Sequence, residues 1–308
     1  MLRSILVPLD GSEFSERSLP LAGEVARASG AAVHLAHVHV APQPEDFVGR
    51  PICPDGSVDA VGQEQDRLRR ERAYLRTLEE KFEGDPALVD STILEGESVV
   101  DELASYAGCV DSDMIVITSH AHVGLWRAWL GSTMEGVLRR TSAPVLVIHP
   151  RTSEPGAEPV NGVRHILVPL DGSSVAESVV ATAADLARAT GARMTLLRVL
   201  DEPVLLGPTL QPNAIDVANT QRELGRDYLE RVADELRRDG VAVAVELRRD
   251  NSVSRAVAKA ARELDADLIA MTTHRRTGVR RALVAGVADT LLQTMELPFL
   301  LVRPSFSA

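Results

Sequence analysis

The sequence has few of the residues that mark several common protein classes. Only two of its 308 residues are cysteines, Cys53 and Cys109, which predicts a reducing compartment and free thiols. Aromatic residues make up 3% of the chain, so Val, Leu, Ile and Ala must build the core. No apolar run approaches ~18 residues, and the first one is too short for a signal peptide. We therefore expect a cytoplasmic protein.

Positive charge is scarce as well. The chain has 33 basic and 44 acidic residues, a net charge of −11. A nucleic-acid binder or a protein of anionic membrane surfaces would need the opposite balance, so we expect neither partner. The P-loop motif G-x-x-x-x-G-K-[ST] and the dinucleotide fingerprint G-x-G-x-x-G are both absent. A G-x-S-x-G nucleophile elbow is also absent, which excludes a Ser-His-Asp site from Ser119, His120 and Asp10.

Short apolar runs alternate with helical patterns along the whole chain. In the first half, strands are predicted near residues 3–12, 33–40, 87–94, 114–117 and 145–148. This alternation predicts an α/β fold in which helices cover both faces of a parallel sheet. Pro20 falls inside the first helical pattern, so that helix either begins near Pro20 or kinks there.

The sequence then repeats itself. Residues 3–12 read RSILVPLDGS and residues 164–173 read RHILVPLDGS, an offset of 161, which becomes 154 by the fourth strand. The second copy is therefore shortened between its second and fourth strands. The stretch RTSEPGAEPVNG has linker composition. We predict two tandem domains, residues 1–150 and 163–308, joined by a linker at 151–162.

The segment between residues 114 and 148 predicts strand, loop, helix and strand in succession. Its loop opens at the carboxyl end of a strand, where parallel sheets bind their ligands. Gly131 and Ser132 then begin a helix, whose free N–H groups favour an anion. Ser132 and Glu135 also fit an S-x-x-E capping box, which needs no ligand, and the two interpretations are compatible.

These motifs resemble the universal stress protein family. ILVPLDGS, S-H-x-x-x-G-L, the Gly-Ser pair and APVLVI carry the resemblance, which extends over both halves. It implies two Rossmann-like or flavodoxin-like three-layer sandwiches, each with a five-stranded parallel sheet. It also implies an adenine nucleotide held by Gly-x-x-Gly, nine residues and Gly-[Ser/Thr], with an acidic residue at the end of the first strand near the base.

Carried over by position, the resemblance implies one site in the first half. Thr118 and Ala121 stand where the family has glycine, whereas Gly131 and Ser132 match. Asp10 fits equally well as a site residue or as part of an Asp-Gly-Ser turn. The implied base side contains Pro8, Leu9, Asp10 and Val38, and the implied ribose and phosphate side contains Thr118, His120, Ala121, Gly131, Ser132 and Thr133.

The second half departs further from the family pattern. Thr272, Arg275, Ala285 and Gly286 occupy its four motif positions, so no motif glycine is in place. The arginines between residues 275 and 281 either form a solvated face or bind an acidic group. We expect Arg275 to fill this crevice, paired with Asp171 or pointing to solvent.

Three histidines, His34, His37 and His39, lie on one predicted strand. An H-x-H pair can bind a metal, but no third ligand is evident in the sequence and carboxylates do not cluster nearby. We interpret these residues as core or strand-end histidines and predict no metal site of the protein itself. Mg²⁺ is expected only if it accompanies a nucleotide.

The resemblance thus implies a stress-response protein with ATP, or a related adenine nucleotide, as a regulatory ligand of its first half. The alternative is an interaction module of the same family that has lost nucleotide binding. No general base is evident, so hydrolysis would be slow at most. We also expect the final strands, 145–148 and 299–302, to pair and join the halves as an intramolecular pseudo-dimer, with a homodimer left open.

Overall fold

The computed structural model describes residues 2–41, 60–82, 89–119, 132–149, 162–201, 213–273 and 286–304. The strands within these ranges are β1 (Ser4–Leu9), β2 (Ala32–His39), β3 (Val89–Glu95), β4 (Met114–Thr118), β5 (Val145–Ile148), β6 (His165–Pro169), β7 (Arg193–Leu200), β8 (Val243–Arg249), β9 (Leu268–Thr272) and β10 (Phe299–Val302). The helices are α1 (Leu19–Ser29), α2 (Ala60–Lys81), α3 (Val99–Cys109), α4 (Ser132–Arg140), α5 (Ser174–Glu177), α6 (Val180–Thr190), α7 (Asn213–Arg238), α8 (Val253–Glu263) and α9 (Val287–Thr294).

All ten strands belong to one sheet. Its order is β3-β2-β1-β4-β5-β10-β9-β6-β7-β8, and each half contributes five strands that pair in parallel. The predicted α/β fold is therefore confirmed. At the centre of the sheet β5 pairs antiparallel with β10, and Leu146 lies opposite Leu300. The predicted pairing of the two final strands is thus present.

Helices cover both faces of the sheet, as its continuous apolar strands require. All six residues of β1 are buried. Val7 and Val33 face the layer that contains α1, α2, α6 and α7, whereas Leu6 and Ala36 face the layer that contains α3, α4, α8 and α9. Each layer packs on strands of both halves, so the hydrophobic core is continuous across the β5–β10 junction.

The first helix shows how the sequence sets its own boundaries. A single 3₁₀ turn, Ser15–Ser18, leads into α1, and Pro20 lies in the first turn of that helix. A proline costs nothing there, because its missing N–H would have had no partner within the helix. Gly30 ends the helix with φ of +71°. The helix therefore begins at Leu19, next to Pro20, rather than kinking there.

Equivalent residues of the two halves show where the second half has fewer residues than the first. Val33 pairs with Val89 in the first half, and their counterparts Met194 and Val243 pair in the second. The buried residues Leu75 of α2 and Leu229 of α7 already follow the later offset. The missing residues therefore lie between the second strand and the following long helix. The predicted linker falls on residues 151–161, outside the described part of the chain, and on Gly162.

Candidate functional site

A crevice of about 590 Å³ opens at the carboxyl ends of β1, β2 and β4. The chain leaves β1 toward β2 on one side and reaches β4 on the other, so this is a switch point of the parallel sheet. Seven of the residues predicted for the site line the crevice together. They are Pro8, Leu9, Asp10, Val38, Thr118, Ser132 and Thr133.

The other three predicted residues, His120, Ala121 and Gly131, lie outside the described residues, and their roles stay predictions. Helix α4 begins at Ser132, as its sequence predicts, and places its first turn on the crevice wall. The capping box of Ser132 and Glu135 also stays a prediction.

Asp10 closes β1 with a tight turn. Its Oδ1 accepts hydrogen bonds from the N–H of Ser12 at 3.0 Å and from the hydroxyl of Ser12 at 2.5 Å. Asp171 makes the same two bonds with Ser173, at 2.8 and 2.6 Å. The Asp-Gly-Ser turn is therefore present in both halves. Because Asp10 is also exposed on the crevice wall, the turn orients a carboxylate that a ligand can reach.

Thr118, which stands at a glycine position of the family pattern, is buried. Its hydroxyl donates to the carbonyl oxygen of Ser15 at 3.4 Å and so joins the end of β4 to the 3₁₀ turn. The next residue, Ser119, donates its N–H to Ile148 at 2.9 Å. The hydroxyl proton thus has a partner within the protein, and a contact of Thr118 with ribose would use its oxygen as acceptor.

One wall of the crevice is apolar. Val38 joins residues of α3, β4 and α4 that the sequence analysis did not assign to the site, namely Val99, Leu103, Ile117 and Met134. Leu103 and Met134 are almost fully buried and anchor this wall in the core. Side chains of this kind form a slot suited to a flat, weakly polar ring.

The opposite wall is polar and comes from β2 and α2. It contains His37, Arg67, Arg70, Glu71 and Tyr74, none of which the sequence analysis assigned to the site. The hydroxyl of Tyr74 is buried and has no hydrogen-bond partner among the described residues. Burial and the nearby charge of Glu16 raise the pKa of Tyr74 to about 12, so it stays neutral near pH 7.

A charged network behind this wall fixes α2 to the sheet. The ring of His39 is buried, with Nδ1 2.6 Å from Glu71 and Nε2 2.5 Å from Glu64. The expectation that carboxylates do not cluster near the histidines was therefore wrong. Glu64 and Glu71 are two helical turns apart, so they share one face of α2. Arg67 completes the network, 3.0 Å from Glu71.

The network favours the protonated form of His39. Burial alone would lower its pKa, but hydrogen bonds and negative charge from Glu64 and Glu71 outweigh burial and raise it. Both ring nitrogens can then donate to carboxylates. His37 differs, because its Nδ1 lies 2.9 Å from the carbonyl oxygen of Leu9 and must donate there, while Nε2 is 3.5 Å from Glu71. Within the described ranges, no group of three potential ligands could hold a metal.

The equivalent crevice of the second half is only partly within the described residues. Thr272 is buried like Thr118. Gly286, at the position of Ser132, donates its N–H to the carboxylate of Asp289 at 3.1 Å. Arg275 and Ala285 lie outside the described residues, so the predicted pairing of Arg275 with Asp171 stays a prediction.

A model of the universal stress protein family matches residues 1–149 and again residues 162–303. The chain belongs to the universal stress protein family. It does so in tandem form, with both matches on the same chain and the same strand order on each side of the β5–β10 pair.

Relatives of similar length are found in mycobacteria. Universal stress protein Rv2623 of Mycobacterium tuberculosis is 26% identical over 313 residues, which cover 98% of this chain and 97% of the relative. Universal stress protein Rv2005c of the same organism is 27% identical over 196 residues, or 63% of each chain. The chain thus matches less than two thirds of the length of Rv2005c.

A solved universal stress protein from Archaeoglobus fulgidus superimposes with a TM-score of 0.66 and 16% identity, covering 97% of this chain and 98% of that one. At this identity the likeness concerns the fold alone. Among the helices that the structure describes, none is long and apolar enough to cross a membrane.

Proposed function

We propose that this universal stress protein binds an adenine nucleotide, ATP or a close relative, in the crevice of its first half. The observation that carries the proposal is the convergence of seven predicted site residues on one crevice, although they come from β1, β2, β4 and α4. The crevice also lies at the sheet's switch point, the position where folds of this class bind ligands.

The two walls suggest how the ligand would lie. The apolar wall, with Val38, Ile117 and Leu103, offers dispersion contacts to an adenine ring. The carboxylate and backbone of Asp10 lie at the rim, within the same crevice. The first turn of α4 would meet the phosphates through N–H groups and the helix dipole. Mg²⁺ would enter with the phosphates rather than through ligands of the protein alone.

The nucleotide is proposed as a regulatory ligand. The candidates for a general base on the polar wall, His37 and Glu71, already have partners: His37 donates to Leu9, and Glu71 binds His39 and Arg67. A base must be within reach of the proton that it removes and have an acceptor available. A bound nucleotide would instead bridge α4 to β1 and stabilise this edge of the protein.

We also propose that the halves act as an intramolecular dimer, with domains at 1–150 and 163–308 joined by a linker at 151–162. The antiparallel β5–β10 pair and the continuous core on both sheet faces support this proposal. Cooperative unfolding of the two halves in a single calorimetric transition is expected. Two separate transitions would contradict it.

Calorimetric titration with ATP tests the nucleotide proposal. Gly131→Val should weaken binding at least about tenfold, because a side chain there would prevent close approach of the backbone to phosphate. Ala285→Val, at the equivalent position of the second half, is the matched control and should change the Kd little. Equal losses of ATP affinity in both variants would contradict the proposal that the first half holds the binding site. No binding by the unmodified chain would favour the alternative, an interaction module without nucleotide.

A further inference from the structure

We propose that Arg198 closes the second crevice, and that the exchange of His37 and Glu71 for Arg198 and Gly225 decides which half admits a ligand. The proposal rests on the proposed function for the identity of the ligand, a nucleotide. The closure itself rests on contacts within the second half.

The two sets of residues are true counterparts. Leu9 lies opposite His37 in the β1–β2 pair. In the β6–β7 pair Pro169 lies opposite Leu197, so the next position along places Leu170 beside Arg198. On the long helices, Tyr74 of α2 corresponds to Tyr228 of α7 by the same offset that relates Glu71 to Gly225.

A comparison of two glycines shows the closure. Gly11 and Gly172 follow the first strand of each half and have almost the same backbone conformation, with φ of +85° and +87°. A Cβ atom on Gly11 would have no atom of the described residues within 4 Å. A Cβ atom on Gly172 would lie 2.9 Å from Nη1 of Arg198. The guanidinium group therefore covers in the second half a backbone position that is open in the first.

The neighbours of Arg198 hold it in that place. Its guanidinium carbon lies 5.2 Å from the ring centroid of Tyr228, a cation–π distance. The side chain passes Gly225, where a Cβ atom would be 3.6 Å from Cδ of Arg198. This is an ordinary contact distance, so the arginine stem lies directly against α7 at Gly225, where a side chain as long as glutamate would compete with it for space. Asp171 and Glu177 also lie near Tyr228, where their negative charges help to raise the pKa of its hydroxyl.

The first half fills the corresponding space differently. Glu71 stands where α7 has Gly225, and its carboxylate is held by His39 and Arg67. The shorter ring of His37 turns to the carbonyl oxygen of Leu9 and leaves Gly11 uncovered. The polar network of the first half thus keeps its crevice open.

A second feature acts in the same direction. The N–H of Gly286 donates to the carboxylate of Asp289, which therefore lies at the start of α9. In the first half the same helix start is the proposed phosphate position. Glu135 is the counterpart of Asp289, so the carboxylate does not distinguish the two halves, but Gly286 lacks the hydroxyl that Ser132 offers at the same position. Removal of Arg198 alone should therefore open the crevice without making it a strong nucleotide site.

Thiol labelling tests the closure without any ligand. In a background of Cys53→Ser and Cys109→Ser, Gly11→Cys and Gly172→Cys carry the same backbone strain and form a matched pair. With the uncharged reagent N-ethylmaleimide, the thiol at 172 should react about tenfold more slowly than the thiol at 11. Arg198→Ala should remove most of that difference. Equal labelling rates of the two thiols when Arg198 is present would overturn the proposal. A rate difference that persists in Arg198→Ala would overturn it as well.

Introducing the arginine and the glycine at the equivalent positions of the first half tests their effect on ATP binding. His37→Arg with Glu71→Gly reproduces the second half, and His37→Ala with Glu71→Gly removes the same contacts without adding a guanidinium. The arginine variant should bind ATP about tenfold more weakly than the alanine variant. Equal affinities would overturn the role of the arginine. If the unmodified chain binds no ATP, the proposed function fails, while the labelling result still decides the closure.

Discussion

His149, the residue after β5, packs edge-to-face against Phe299 of β10, with 5.7 Å between the ring centroids. The contact crosses the junction between the two halves, and both residues are buried. Burial lowers the pKa of His149 from 6.5 to about 4, because removal from water disfavours the charged imidazolium. The contact of His149 with Phe299 therefore contains a neutral imidazole near pH 7.

Acid should weaken this junction. The folded pKa of His149 is below its unfolded value, so the unfolded chain binds the proton more tightly and stability falls as pH falls from 6.5 toward about 4. Between pH 7 and pH 5 this residue should account for a loss of about 2 kcal/mol in the free energy of unfolding. Urea unfolding at both pH values measures it. His149→Leu should remove that part of the pH dependence, and an unchanged dependence would contradict the assignment.

Phe299 should be among the most sensitive positions in the protein, because it is fully buried in the central strand pair. Phe299→Ala should cost about 3–5 kcal/mol through lost burial and the cavity left behind. Leu224→Ala is the control, since Leu224 is 64% exposed and should change stability by less than about 0.5 kcal/mol. Similar losses for both variants would show that the junction is not part of the cooperative core.

The close packing of α3 on α4 should depend on one glycine. A Cβ atom on Gly136 would lie 2.5 Å from Cγ2 of Val100, and the stiff side chain of valine cannot turn away. Gly136→Ala should therefore destabilise the protein and shift α4, which forms part of the crevice wall.

Gly108→Ala provides the control on α3, because its Cβ position has no atom of the described residues within 4 Å. This change should be neutral or stabilising by about 0.5–1 kcal/mol through helix propensity. Val100→Ala should rescue much of the loss caused by Gly136→Ala in thermal unfolding. Without such rescue, the effect of Gly136→Ala would have another cause.

The charged network on α2 should be detectable by NMR titration of His39. Its pKa is raised in the folded state, so the stabilisation is complete below about pH 6.5 and is lost as pH rises through the raised value. Glu64→Gln should lower the pKa of His39 by removing one charged acceptor. Glu80→Gln makes the same charge change at an exposed position of α2 and should leave the titration unaltered. Identical titrations in the two variants would refute the network.

Much of the fold could be predicted because its signals are local. The apolar runs of the strands, Pro20 at the start of a helix and Gly30 at its end each act within a few residues. The final strands were expected to pair because each is a short apolar edge that follows a proline, and the sheet contains that pair. Because the second half repeats the motifs of the first, the same fold is predicted for it.

The polar wall of the crevice could not be predicted in the same way. His39 and Glu71 lie 32 residues apart, and their contact depends on where α2 packs across β2 and β3. The spacing of Glu64 and Glu71 shows that they share a helix face, but it does not show what that face meets. Likewise, Arg198 is visible as the counterpart of His37, yet only the short distance to Gly172 reveals its effect.

Of the two crevices, we propose that only that of the first half binds an adenine nucleotide. Equilibrium dialysis of the full chain against labelled ATP, with saturation followed to completion, measures the number of sites most directly. We expect one ATP per chain, lost in Gly131→Val and retained in Ala285→Val. Two equivalent sites per chain, or none, would contradict it.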